Sequence, residues 1–466
     1  MRATSILSAL ALFLFALAAN GYGQQFAPAV NYDVGSQPRG VCAADFNGDG
    51  YQDLAVSNST TPNVSIMINN GDGTFHWLAD YVTGNGPSAV GAADLDNDND
   101  IDLAVTNADV RQVCILRNRG NAVFDTSGLW TVGTYPISIS IADLDGDGDQ
   151  DLAVTDYEES SVSVLKNDGN GGFSDRNDYW TGANPIAVCA ADFDNDSHKD
   201  LAVANYHANN MAILMNNGDG TFHPSVPYFT FIEPQAVFAA FLNGDNLRDV
   251  VVANYESHNV SVFINQGGGV FGSSVEYDAA SGPISVWAAD FDGDGDNDLV
   301  VANAGSNNIS YLANNGDGTF HTAVNFNVES GPWSLCVADF DNDHSPDVAV
   351  ANLSSNSISI LINNTIISDV NDDHTGRLPV KIGLIQNYPN PFNSSTLLTY
   401  RLGTQSSVNL AIYDLLGNKI ETLINGNQAA GEHHFIWDAG KYTSGIYFAT
   451  LMIDGQGCTI RMALAK

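Results

Sequence analysis

Apolar positions along the chain fall in short runs rich in Val, Ile, Leu and Ala, bounded by Gly, Asn and Asp. Runs such as DLAVSN, DLAVTN, DLVVAN and DVAVAN are each followed by a second run, such as VSIMINN, VSVLKND or ISYLANN. β-Branched residues held between turn-formers predict strands joined by tight turns. The pattern is periodic. An Asp-rich nonapeptide begins at Asp45, Asp94, Asp143, Asp192, Phe241, Asp290 and Asp339, each 49 residues after the last. A Pro stands seven residues before it in every copy, from Pro38 to Pro332, and an Ala directly before it, from Ala44 to Ala338. Each copy then reaches a Gly-rich turn and a Phe, as in NNGDGTF, and an aromatic at Tyr32, Tyr81, Trp130, Tyr179, Tyr228, Tyr277 or Phe326.

Each unit therefore predicts four strands, and such units repeated four to eight times build a β-propeller. An open solenoid is the competing arrangement, and it would carry atypical capping units. The turn Phe recurs from Phe26 to Phe320, but position 369 is Asp. The chain thus enters on a fourth strand and leaves the repeats after a third, near Asn364. Residues 26–33 are expected to complete the last of seven blades and close a ring. The fold class expected is all-β: a seven-bladed propeller over residues 24–364, a linker at 365–383, and a smaller β-domain over 384–466.

Charge sharpens the division. Of 466 residues, 16 are Lys or Arg and 54 are Asp or Glu, a formal net charge of −38. Residues 24–380 hold 49 acidic and nine basic residues, a net of −40, whereas residues 381–466 hold five and six. Such acidity argues against nucleic acid or an anionic membrane surface as partner. The nonapeptides explain where the acids go. They read DFNGDGYQD, DLDNDNDID, DLDGDGDQD, DFDNDSHKD, FLNGDNLRD, DFDGDGDND and DFDNDHSPD. Oxygen donors at positions one, three, five and nine form a cage suited to Ca²⁺, with a backbone carbonyl at position seven. The candidate ligands are Asp45, Asn47, Asp49 and Asp53; Asp94, Asp96, Asp98 and Asp102; Asp143, Asp145, Asp147 and Asp151; Asp192, Asp194, Asp196 and Asp200; Asp290, Asp292, Asp294 and Asp298; and Asp339, Asp341, Asp343 and Asp347. No Glu stands at position twelve, and strands flank the loop, so it is not an EF-hand. Asp-Gly clusters also build plain turns, but seven repetitions of one spacing favour about six structural ions. The fifth copy, with Phe241 in place of the first Asp, is expected to be empty or weak.

These units resemble FG-GAP/VCBS repeats, the blades of the integrin α-subunit head and of many bacterial surface proteins. The resemblance covers residues 26–364 and implies structural Ca²⁺ between the first and second strands of a blade. It implies no single activity. Residues 384–466 alternate as STLLTYRL, VNLAIYD, KIETLI, EHHFIWD, GIYFATL and CTIRMALAK, which predicts an Ig-like sandwich. QNYPNPFN, YDLLGNKI, GEHHFIWD, SGIYF and the tail Arg461–Lys466 resemble the type IX secretion C-terminal sorting domain (Por secretion tail) of Bacteroidetes-type bacteria. That resemblance implies passage through the outer membrane by the type IX machinery, then release or surface attachment. An Ig-like spacer is the plainer alternative. At the other end, Arg2 precedes an apolar run from Ile6 to Ala18, followed by small residues, so residues 1–23 are expected to be a signal peptide. No run is long enough for a membrane helix.

Strand parity places the Asp loops and Gly turns at one end of the ring. The loops at the other end vary in sequence, and variable loops on a rigid scaffold carry function. Tyr157, Tyr206, His207, Tyr255, His258 and Trp333 are the candidate ligand-binding residues there; solvated loop tips are the alternative. Tyr206 and Tyr255 follow the same Asn in adjacent copies and are expected side by side. His76, His223 and His321 share one repeat position and read as strand residues, as do Cys42, Cys189 and Cys336 on the first strand. No nucleophile motif, phosphate loop or zinc motif is present. The reading is a monomeric, secreted or surface Ca²⁺-binding propeller that binds carbohydrate or protein. Two alternatives are a polysaccharide lyase or hydrolase using Tyr and His of the variable end, and a structural surface component.

Overall fold

A computed structural model describes residues 25–364, 383–388, 395–402, 406–414, 419–428, 431–453, 456–464 and 466. The expected leader, residues 1–23, and all but the last residue of the expected linker lie outside the described residues. The chain divides into two compact units after residue 367.

The first unit contains seven antiparallel four-stranded sheets, six of them simple meanders and the seventh completed by a strand from the start of the repeats. In the first of them the strands are Pro38–Ala44, Asp53–Asn58, Asn63–Asn69 and Phe75–Val82. The opening Pro has no N–H to give the ladder, and the register slips directly after it in all seven sheets. Second strands are buried at every position, because each is an interior strand with a neighbouring sheet on both faces. The first strands contact one another in cyclic order, and Pro38–Ala44 packs on both Pro87–Ala93 and Pro332–Ala338. The sheets therefore form a closed ring.

Apolar clusters lie between adjacent sheets. One joins Phe46, Val64 and Ile66 to Val90, Leu103 and Phe124; another joins Val41, Leu54 and Phe75 to Phe340, Ala349 and Ile358. A polar tie runs beside each. The Asn that ends the third strand or stands two residues past it, from Asn69 to Asn363, donates Nδ2 to the second carbonyl of the preceding sheet's nonapeptide at 2.7–2.9 Å. Asn69 to Phe340 carries this series across the joint between the first and last sheets.

The last sheet takes its outer strand from the start of the repeats: Val30–Asp33 pairs with Ser357–Leu361. Phe26 bridges Asn363, fills the place of the turn Phe, and is fully buried edge-on against Phe291, Tyr311 and Phe326. Gln25 Nε2 donates to Phe291 O at 2.6 Å and to Asn363 Oδ1 at 3.2 Å. Phe26→Ala should therefore cost about 3–5 kcal/mol by removing a buried aromatic that holds both ends. Urea unfolding of the variant checks this; a loss under 1 kcal/mol would mean the joint holds without it.

The second unit has a three-stranded sheet of Gly383–Tyr388, Ser395–Leu402 and Gly431–Asp438. A four-stranded sheet is made of Lys419–Gln428, Ser406–Asp414, Gly445–Ile453 and Gln456–Leu464. Leu398, Tyr400 and Trp437 from the first meet Val408, Leu410, Tyr447, Leu451 and Met462 from the second in one core. It is a small β-sandwich.

Candidate metal loops and the opposite aromatic face

Each nonapeptide joins the first strand of a sheet to the second. Positions four and six take left-handed backbone in all seven copies, filled by Gly or Asn with only Ser197 and His344 as exceptions. Gly and Asn adopt this region at least cost. The bend aims backbone N–H groups at the first carboxylate: Gly48 and Gly50 donate to Asp45 at 2.7 and 2.8 Å, and Gly293 and Gly295 to Asp290 at 2.7 and 3.0 Å. The fifth position accepts from the seventh N–H in every copy, as in Tyr51 to Asp49 at 2.9 Å.

The ninth position does a second job. Asp102 Oδ2 accepts from Leu95 N at 3.1 Å and Oδ1 from Asn118 N at 2.7 Å, tying the loop to the end of the third strand. The same pair of bonds is made by Asp53, Asp151, Asp200, Asp249, Asp298 and Asp347. Asp249 belongs to the degenerate fifth copy, so this staple does not depend on a full ligand set. In the sequence alone the ninth Asp reads only as a ligand.

Carboxylates converge in five loops. Oxygens of Asp94, Asp96 and Asp102, of Asp143, Asp145 and Asp151, of Asp192, Asp194 and Asp200, of Asp290, Asp292 and Asp294, and of Asp339, Asp341 and Asp347 lie within 4.8 Å of one another. Burial, with the neighbouring acids adding to it, pushes Asp102, Asp298 and Asp347 up to about 7 and Asp151 and Asp200 to about 6. Asp96 Oδ1 is buried without a hydrogen-bond partner. Such donor sets can hold a metal ion, and hard oxygens suit a cation such as Ca²⁺. In the first loop Asn47 replaces one carboxylate and donates to Asp49 at 2.9 Å. In the fifth, the Arg248 guanidinium lies over the Phe241 ring, 4.5 Å from its centre.

At the opposite end of the ring, the loop after each second strand meets the turn before the next Pro. The residue before that Pro is left-handed in all seven copies: Gln37, Gly86, Tyr135, Asn184, Glu233, Gly282 and Gly331. Its carbonyl accepts from the exit loop, as in Tyr157 N to Tyr135 O at 3.2 Å and Tyr206 N to Asn184 O at 2.9 Å. Around these bonds the rings gather. Tyr135 and Tyr157 centres are 6.1 Å apart, Tyr157 and His207 6.4 Å, and His207 and Tyr206 4.7 Å. His207 Nδ1 donates to Asn184 Oδ1 at 2.8 Å, which fixes its ring. Partial burial, then Glu233 beside it, pushes the Tyr206 hydroxyl up to about 12.

Three of the six candidate residues, Tyr157, Tyr206 and His207, thus come together. Tyr255 instead lies against Gly282, whose N–H donates to His258 Nδ1 at 3.2 Å, and no ring contact joins Tyr255 to Tyr206 among the described residues. Trp333 faces Arg39, whose guanidinium is 5.2 Å from its ring centre. Tyr135 and Glu233 were not singled out from the sequence. Their signal was a bulky residue directly before Pro, where three other copies place Gly.

One buried carboxylate stands apart. Six copies end the second strand in Asn, and the third ends in Asp156, which is fully buried. Ser163 Oγ donates to it at 2.6 Å, yet burial still raises it to about 7. A carboxyl whose folded value lies above its unfolded value stabilises the fold at low pH and loses that contribution as pH rises, here between about 4 and 7. Asp156→Asn should therefore raise stability at pH 8 by on the order of 2–4 kcal/mol and change little near pH 4. Melting curves across pH test this; an equal effect at both pH values would rule out the buried charge as its cause.

Seven antiparallel sheets set in a ring, with an acidic loop repeated at one position, define a β-propeller of tandem repeats. The FG-GAP-like repeat model matches residues 45–105, 94–154, 143–203, 242–301 and 290–350, and the chain belongs to that family. Four matches begin on the first Asp of a nonapeptide; the exception begins at 242, just after Phe241. Residues 386–463 match the secretion system C-terminal sorting domain. No curated protein is a significant match. Among solved structures the chain is similar to BBS1N from its complex with ARL6DN (a lead-soaked crystal), at 14% identity and a TM-score of 0.52 over 72% of this chain and 97% of that one. It is also similar to a candidate 6-phosphogluconolactonase from Bacteroides uniformis, at 13% identity and a TM-score of 0.51 over 71% and 96%. These two likenesses bear on the fold alone. The repeats and the sorting domain together mark an extracellular repeat protein, delivered to the surface or the medium by a secretion machinery. No described helix is long and apolar enough to cross a membrane.

Proposed function

We propose that the protein is a calcium-stabilised propeller that binds an extracellular carbohydrate or protein through the aromatic run Tyr135, Tyr157, His207 and Tyr206. Residues 1–23 direct it across the inner membrane, and the C-terminal domain, through the type IX machinery, across the outer one. The ring of repeats is the scaffold. Calcium is held by positions one, three, five and nine of six loops, and it supplies charge neutralisation there, not chemistry. The observation that carries the binding reading is the continuous line of rings at the end remote from those loops. Flat rings with polar edges serve as sugar platforms or interface anchors. Two residues that frame the run, Tyr135 and Glu233, hold left-handed backbone with φ 59° each. A bulky residue in that region costs about 1 kcal/mol or more, and such strain concentrates at functional sites.

A glycan array with the calcium-loaded full chain, and a depolymerisation assay beside it, identifies the ligand class. Tyr157→Ala with His207→Ala should then weaken binding at least tenfold with little change in melting temperature. Tyr135→Gly should weaken binding while raising stability, because it relieves the left-handed strain. Unchanged affinity for an identified ligand in both variants would place the site elsewhere.

A further inference from the structure

One residue directly before the Asn, at or just past the end of each third strand, fills in five copies a slot between the loop's third position and the Gly turn of the next sheet. Ile68, Met215, Ile264, Ala313 and Ile362 occupy this place in five copies; Arg117 and Lys166 occupy it in the second and third. The slot recurs at five of these places, those of Arg117, Lys166, Met215, Ile264 and Ile362. A Cβ added to the facing turn glycine would meet Ile362 and Asp341 at Gly73, and Met215 and Asp194 at Gly269. At Gly171 it would meet Arg117 and Asp96, and at Gly220 Lys166 and Asp145.

Where the residue is basic, it binds the loop. Arg117 Nε lies 2.5 Å from Asp96 Oδ2 and Nη2 donates to Asn170 O at 2.6 Å; Lys166 Nζ lies 3.3 Å from Asp145 Oδ2 and donates to Asp219 O at 2.5 Å. The Asp96 and Asp145 side chains are only 6% and 15% exposed, so these pairs are drier than ordinary surface pairs. Asp96 nevertheless keeps its Oδ1 buried and unpartnered. That oxygen remains available to an ion, with a positive charge already on its twin.

We infer that Arg117 and Lys166 are built-in counter-cations, so that the second and third loops bind calcium about tenfold more weakly than the fourth, sixth and seventh and keep their shape without it. This rests on the calcium reading above. A unit positive charge one side chain away opposes a divalent ion by about a factor of ten even at a water-like dielectric. The same charge offsets carboxylate repulsion when no calcium is bound. The five copies with an apolar residue at this place have no such substitute.

Calorimetric titration of the chelator-stripped full chain with CaCl₂ should show two classes of site, two ions binding weakly. Arg117→Ile and Lys166→Ile should each move one ion to the tight class and lower the melting temperature measured in chelator. The reciprocal Met215→Lys should move one ion from tight to weak, which keeps the test open if an Ile variant misfolds. Binding in a single class, with isotherms unchanged in all three variants, would overturn the inference. No calcium binding by the unaltered chain would instead overturn the reading beneath it.

Discussion

Stripping calcium from the full chain should lower its melting temperature by roughly 10 °C. Extracellular calcium modules have dissociation constants of about 10⁻⁴–10⁻³ M. At about 1 mM free ion and the tighter limit, each site adds about 1.4 kcal/mol. Four sites at that limit and two about tenfold weaker would sum to about 6–7 kcal/mol, comparable with the ~5–15 kcal/mol that stabilises a typical domain. Unfolding entropies of about 2.1 cal/mol/K per residue convert that loss to the stated shift for a ring of this size. Crowded carboxylates add repulsion once the ion is gone. Single loops should differ. Asp294→Ala removes one of three converging carboxylates in the sixth loop, along with a turn bond from Asp296 N, and should cost stability mainly when calcium is present. Asp245→Ala in the fifth loop removes only turn contacts with Asn243 and Leu247 and should cost much less. Scanning calorimetry with and without chelator, with elemental analysis of bound calcium, decides the matter. Coincident curves, or fewer than about five ions per chain, would reduce the loops to turns.

Deleting residues 384–466 should abolish delivery to the surface and leave a folded ring in the periplasm. The sorting-domain match spans residues 386–463, and the core of that unit is built wholly from its own two sheets. The ring's clusters likewise draw only on residues of the repeats. Fractionation should show at least a tenfold fall in surface and medium protein, with the periplasmic form still protease-resistant in calcium. Undiminished delivery of the shortened chain would sink the sorting role.

The architecture was legible because one 49-residue period carries its constraints at fixed offsets: the Pro that starts a first strand, the Asp that ends a loop, the Phe that closes a turn. Carboxylate convergence was legible for the same reason, since positions one, three and nine are those brought together in four loops. Contacts between copies were not. The Asn at or just past the end of each third strand looks like a turn residue in sequence, and its bond reaches a carbonyl of the previous sheet. The double use of the ninth Asp was hidden because one residue type satisfies both demands. At the aromatic end, equal offsets in adjacent copies suggested that Tyr206 would meet Tyr255. The ring contacts run the other way, through His207 to Tyr157 and Tyr135. Parity gives the end of the ring on which a loop lies, but not the direction of a side chain leaving a left-handed turn.

The sheet shared between the two ends of the repeats also sets a timetable for folding. Gln25 and Asn363, bonded in that sheet, are 338 residues apart in the chain. Six sheets are made of strands contiguous in sequence, so each can form as soon as its own stretch emerges. The seventh cannot. Until Val30–Asp33 arrives, Ser357–Leu361 presents a bare strand edge, a template for pairing with other chains. Closing so long a loop is slow compared with the local hairpins that precede it. During export, then, the hazardous species is a nearly complete, unclosed ring, and its lifetime is set by one late pairing event rather than by the stability of any blade.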